Sequence, residues 1–344
     1  MTLTADPDNY EALPEFNDWI DSQCGELNIL GFDPKPSYVL HQLSFGTYEA
    51  AIADYEAQRE DELKELATTE FPAPIAHYFY RFLYGSENEL QHLHFLRDTW
   101  EATISILHAL VISELRFRQI PLSDPLKFRE LLSDSLNDRL VNIERAFDVA
   151  ANQGIALTAS TLIPRTVIGH IRELNQTRNA FSHAAAQSDE QARTHVSECY
   201  GDVVDILQEL RGLGEVKVLR YLGQENYSTL RHECFDGHAM TKTIKKVELT
   251  PRQLADSAPR YFRDDQILVA CGGNYFGLRP FLYFYQDPNG HLTKLCIFKK
   301  AKGEPPNRKL IYEVVGESRE IELDRATFKP ELDELRAMFG LGPD

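Results

Sequence analysis

The sequence predicts an α+β protein in which a helical bundle is followed by a β-rich C-terminal domain. Three observations carry that prediction. Between about Ser86 and Gly214, apolar residues recur at spacings of three, four and seven, the period of amphipathic helices. After Gly214 the texture changes to tyrosine, phenylalanine and β-branched runs parted by turn residues, as strands require. A chain of 344 residues, 43% of them apolar, exceeds one ordinary domain and can fill two cores.

From Ser44 to Thr68 an acid-rich helical pattern, FGTYEAAIADYEAQREDELKELA, runs up to Phe71-Pro72-Ala73-Pro74, where two prolines mark a boundary. Residues 1–70 are therefore expected as an acidic helical arm. A long helix is predicted from about Ser86 to Arg118, with Leu93, Leu96, Trp100, Leu107, Val111 and Leu115 on its apolar face. The run from Ile120 to Pro125 breaks it. A second helical region covers Leu126 to about Asn152 and stops at Gly154, and a third covers roughly Pro164 to Ala186. The fourth starts after Ser188, which with Gln191 fits a capping box, and ends near Gly212 and Gly214. Helices joined by short connections make a bundle, here residues 71–214. In residues 215–344 the clearest unit is FLYFYQDPNGHLTKLCIF, two strand-like runs joined by Asp287-Pro288-Asn289-Gly290, a hairpin signal. Gly272-Gly273-Asn274 and Asp264-Asp265 read as turns, LIYEVV and REIEL as strands, and Pro330 to Phe339 as a closing helix.

The net charge of −17 is unevenly spread. Residues 1–70 hold 16 acids against 3 bases, residues 71–214 hold 18 against 13, and residues 215–344 hold 19 against 20. An acidic chain is ordinarily a poor phosphate binder, but here the acidity belongs mainly to the first fifth, which reads as a solvated face or a cover that competes with polyanions. Five cysteines without a CxxC pair, a start lacking signal-peptide character and the absence of an eighteen-residue apolar run predict a cytoplasmic protein with no membrane partner.

Motifs for several enzyme classes are missing: there is no GxxxxGK[ST], no GxGxxG after a strand, no GxSxG and no HExxH. His92 and His94, two apart on a helix, point about 200° apart and cannot share a metal. His232, Cys234 and His238 in RHECFDGH are a metal candidate, because residues two apart on a strand share a face, but no fourth ligand is evident. No cofactor or metal is assigned.

The stretch ELNQTRNAFSHAAAQSDEQ carries the strongest chemical signal. Val167, Ile171, Leu174 and Phe181 share a helical stripe, and Arg178 falls on it, so this arginine must be paired, interfacial or catalytic. His183 follows five residues later, about 500° around an intact helix, so the two side chains diverge by about 140° unless the helix ends between them. Two copies packed around a symmetry axis would also bring such groups together. A histidine can move protons near neutral pH, a guanidinium can hold a phosphate and its growing charge, and Asn179 can orient either. The alternative for the same residues is an arginine–acid pair tying helices together and an exposed histidine at a helix end.

Arg178-Asn179-Ala180-Phe181-Ser182-His183, late in a helical domain, resembles the R-x4-6-H motif of HEPN domains, including the polar residue after the arginine. The resemblance covers about residues 71–214. It implies an all-helical HEPN-like bundle acting as a metal-independent RNA endonuclease of toxin or antiviral-defence type, with Arg178 and His183 as the catalytic pair and Asn179 as an accessory. It also implies a homodimer whose paired motifs form one site, RNA as substrate, and an antitoxin or defence-system protein as a possible partner. Ala185 stands where some HEPN toxins carry a modified tyrosine, so that form of control is not implied. Because other HEPN domains are non-catalytic, a nucleotide-binding or interaction module remains the alternative. Sensing or substrate selection falls to residues 215–344 by elimination.

Overall fold

The computed structural model describes residues 3–24, 27, 32–122, 126–182, 188–226, 228–239, 243–253, 267–286, 293–303, 308–317 and 319–342, without the side chains of 176–182, 243 and 245. It is an α+β protein, helices first and antiparallel sheets after them. By internal contacts the chain divides into two compact units, Met1–Glu65 and Leu66–Asp344. Among the described residues no helix is long and apolar enough to cross a membrane.

The first unit is more than an arm, because it has a small core of its own. Helices α1 (Pro14–Cys24) and α2 (Pro36–Leu43) and the first part of α3 (Phe45–Thr69) gather Phe16, Ile20, Tyr48, Ile52 and Tyr55 into one cluster. The Tyr48 hydroxyl donates to Asn17 Oδ1 at 2.6 Å, so this buried hydroxyl is satisfied.

In the second unit, α4 (Ala73–Tyr84) occupies a segment expected to be only a boundary. Pro74 sits in the first turn, where a missing N–H costs nothing, and Ala73, Ile75, Ala76, Phe79 and Phe82 are buried. Helix α5 (Glu89–Phe117) starts at Asn88, whose side chain caps the Gln91 N–H. The apolar face expected from Leu93 to Leu115 is buried throughout, and α5 packs against helices on one side and strands on another. The helical region expected over 126–152 consists of two helices, α6 (Phe128–Leu131) and α7 (Leu136–Asn152). Ser133 and Ser135 divide them: Ser133 Oγ donates to Asp138 Oδ2, and Ser135 Oγ accepts the Asp138 N–H, so both hydroxyls start a new helix rather than continue one. A short α8 (Ala159–Leu162) precedes α9 (Arg165–Ser182), and α10 (Asp189–Glu209) opens with the expected capping box of Ser188 and Gln191.

The strands are β1 (Lys217–Gln224), β2 (Thr229–Cys234), β3 (Thr243–Glu248), β4 (Ile267–Cys271) and β5 (Asn274–Gly277), in the sheet order β3-β2-β1-β4-β5. Then come β6 (Leu282–Gln286), β7 (Thr293–Lys302), β8 (Lys309–Val314) and β9 (Glu320–Asp324), paired in chain order, and α11 (Lys329–Met338). Gly272 and Gly273, at φ 52° and 76°, make the two-residue turn between β4 and β5, where two successive positive φ values favour glycine. The β6–β7 hairpin pairs as expected, while its turn at 287–292 and the Asp264-Asp265 turn lie outside the described residues.

Buried arginines join helices to sheet. Arg116, at the end of α5, donates to the carbonyls of Arg279 and Gly277. Arg139, on α7, donates to the carbonyls of Phe298 and Lys299. Those two carbonyls belong to a bulge: Phe298 faces Tyr312 and Lys300 faces Ile311, leaving Lys299 as an extra residue in β7.

Candidate functional site

Arg178 and Asn179 lie on α9, whose backbone is helical as far as Ser182. The stripe that leads to them is real in part: Val167, Ile171 and Leu174 are buried. The side chains of Arg178, Asn179 and Phe181, and the whole of His183, lie outside the described residues. The Ser188 cap is firm, with Ser188 Oγ accepting the Gln191 N–H and Gln191 Oε1 accepting the Ser188 N–H.

One turn before Arg178 on the same helix, Asn175 lines a cavity of about 590 Å³. Its walls come from α4 (Tyr78), α5 (Asp98, Glu101, Ser105), Asp134 before α7 and Arg139 on it, the β7 bulge (Phe298 to Lys300) and β8 (Glu313). The α5 contribution follows from helical geometry, since 98, 101 and 105 are three and four apart and share one face. Local sheet geometry supplies Lys299, because a bulge re-aims the extra residue.

Most donors in this cavity are engaged. Arg139 Nη1 donates to Ser105 Oγ, and Nη2 to the carbonyls of Phe298 and Lys299 at 3.1 and 2.8 Å. Burial in this carbonyl cage, partly offset by the charges of Glu101 and Asp134, lowers the Arg139 pKa to about 10, so it stays protonated at neutral pH. The Tyr78 hydroxyl donates to Glu313 Oε1 at 3.0 Å, and burial followed by the Glu313 charge pushes its pKa upward. Lys299 Nζ reaches Glu313 Oε2 at 3.2 Å and Glu320 Oε1 at 3.1 Å. Burial alone would lower its pKa, but these carboxylates raise it.

Two acceptors are different. Asn175, only 5% exposed, has no hydrogen-bond partner for Oδ1 among the described residues. Arg97 places both its Nε and Nη2 bonds on Asp98 Oδ1, leaving Oδ2 without a protein partner among the described residues. Burial raises the Asp98 pKa despite that arginine. None of these cavity residues forms a sequence motif. They come from six elements, and the local trace is the spacing of Asp98, Glu101 and Ser105 on one face of α5.

The histidine–cysteine candidate does not assemble. His232 and Cys234 do share a face of β2, but both are fully buried, and burial lowers the His232 pKa to about 4. His238 instead bonds the Thr68 carbonyl through Nδ1 and stacks on Tyr80 at 3.8 Å. Among the described residues, no group of three or more histidine, cysteine, aspartate or glutamate side chains is placed to hold a metal ion. His92 is stacked on Phe82. Comparison of the chain with protein-family models, curated proteins and solved structures gives no match.

Proposed function

We propose that the chain is a HEPN-like, metal-independent RNA endonuclease in which Arg178, Asn179 and His183 act at a dimeric site. The observation that carries this reading is the helical setting of the motif: Arg178 and Asn179 lie on α9, and His183 lies outside the described residues. The setting supports the same reading, since α5, α7, α9 and α10 pack as neighbours in one helical group.

In this mechanism a ribose 2′-hydroxyl attacks the adjacent phosphate and the bond to the 5′-oxygen breaks. His183 moves the proton, Arg178 holds the phosphate charge, and a 2′,3′-cyclic phosphate remains. His183→Ala and Arg178→Ala, each checked for folding, should both cut RNA cleavage about 10²-fold or more. EDTA should not protect the RNA, and a 2′-deoxy residue at the cut site should. Full activity in folded His183→Ala would overturn the assignment.

A further inference from the structure

We propose that Arg308, Arg325 and Arg336, gathered where the β8–β9 ladder meets α11, form a binding site for a phosphate monoester. The proposal goes beyond the ribonuclease reading and does not depend on it. Topology brings the three together. Lys309 and Asp324 are the last partners of the β8–β9 ladder, so Arg308, just before one, and Arg325, just after the other, stand at the same end of the sheet. Arg325 opens the single turn Arg325–Phe328 that leads into α11, and Arg336 lies on α11 itself. All three are half-buried.

The guanidiniums are held from one side. Arg308 Nε donates to the Gly303 carbonyl at 3.2 Å, and among the described residues its Nη groups have no partner and no carboxylate lies within 4 Å. Arg336 Nε donates to the Gly342 carbonyl at 2.7 Å, and its guanidinium lies over the Phe128 ring at 5.5 Å from the centroid. Like charges brought together cost free energy unless an anion joins them. That cost is visible at Arg325, whose pKa is lowered by burial and then by the Arg336 and Arg308 charges, with Asp333 offsetting them only in part. Asp333 also holds Lys329 at 2.9 Å. The other acids of α11 are engaged with arginines elsewhere, Glu331 with Arg279 at 3.2 Å and Glu334 with Arg116 at 3.6 Å.

In a chain of net charge −17, composition does not account for such a concentration of arginine, and a bound anion does. The forked guanidinium matches phosphate oxygens in pairs. A phosphate monoester carries close to two negative charges at neutral pH, so it answers several arginines better than a carboxylate or a backbone phosphodiester with one.

Inorganic phosphate is the probe, titrated calorimetrically into the full chain in a phosphate-free buffer. Wild type should bind it saturably at one site. Arg308→Gln should weaken binding about tenfold or more, as loss of a hydrogen bond to a charged group does, and Arg308→Lys should recover part of the loss. Because Arg308 Nε reaches only the Gly303 carbonyl, its replacement leaves the contacts of α11 in place, and circular dichroism checks the fold. Arg231→Gln removes the same charge from β2 and should leave the affinity within about twofold at about 0.15 M salt. An oligodeoxynucleotide without a terminal phosphate should compete poorly. Absence of saturable binding by wild type would overturn the site, since the chain's own acids, with Glu304 and Asp344 outside the described residues, would then neutralise the arginines. Equal losses in Arg308→Gln and Arg231→Gln, or displacement of phosphate by the oligodeoxynucleotide at equal concentration, would overturn it as well. No RNA enters these titrations, so their failure leaves the ribonuclease reading untouched.

Discussion

Replacing His108 by leucine should remove a defined part of the protein's acid sensitivity. His108 lies on α5, 2% exposed, with Nε2 unpartnered among the described residues and its ring edge-on to Phe281 at 5.1 Å. Burial, reinforced by the nearby Arg139 guanidinium, lowers its pKa from 6.5 to about 3. The folded form therefore keeps this histidine neutral while the unfolded chain takes up a proton as the pH falls through 6.5. Between about pH 6.5 and 3 the unfolded state binds the extra proton, so stability falls with pH at about 1.4 kcal/mol per unit. From pH 7.5 to pH 5 the loss amounts to about 2 kcal/mol. His232, lowered to about 4 by burial, works in the same direction, and Asp98, raised by burial, works in the opposite one. Comparing wild type with His108→Leu at each pH cancels both. Urea unfolding followed by tryptophan fluorescence and circular dichroism gives the two stabilities, provided that m is unchanged. Relative to wild type, the variant should gain about 2 kcal/mol between pH 7.5 and pH 5, whatever its packing cost at neutral pH. A difference constant to within about 0.5 kcal/mol over that range would refute the reasoning.

Glu114→Gln should cost roughly 3 kcal/mol in the same assay, because Oε1 accepts the Thr158 N–H and Arg118 while Oε2 accepts the Ala159 N–H, so a carboxamide must turn its NH₂ toward a donor either way. A loss below about 1 kcal/mol would mean that this buried carboxylate is not holding the start of α8. Arg139→Met should cost about 3–5 kcal/mol by stranding the bulge carbonyls of Phe298 and Lys299, with Arg139→Lys costing less, and hydrogen exchange in β7 should rise with it. Unchanged exchange in β7 would show that the bulge stands without its arginine.

Much of this protein is legible in its sequence because the interactions concerned are local. The capping box at Ser188 and Gln191 involves residues three apart, and the buried face of α5 from Leu93 to Leu115 follows from periodicity. The β4–β5 turn needs only two glycines that tolerate positive φ. Where a competing local rule acts, the simpler pattern misleads. Pro72 and Pro74 read as a boundary but mark the first turn of α4, and Ser133 and Ser135 divide a helix that periodicity alone would continue. For the candidate sites the limits differ. Arg178, Asn179 and His183 stand in the sequence as a compact motif because they are close along the chain. The cavity lined by Asn175 has no such signature.

The sequence by itself determined the α+β order, the helix periods and caps, and the β6–β7 and β8–β9 strands. Each rests on residues within a turn or a hairpin of one another, where propensity and side-chain spacing decide the outcome. Only the tertiary structure decided that Asp98, Asn175, Arg139 and Glu313 line one cavity, and that Lys299 is the extra residue of a bulge. Those outcomes depend on α5, α7, α9 and the β7–β8 hairpin meeting across more than a hundred residues of chain, and burial, pairing and the pKa shifts that follow from them are properties of that meeting.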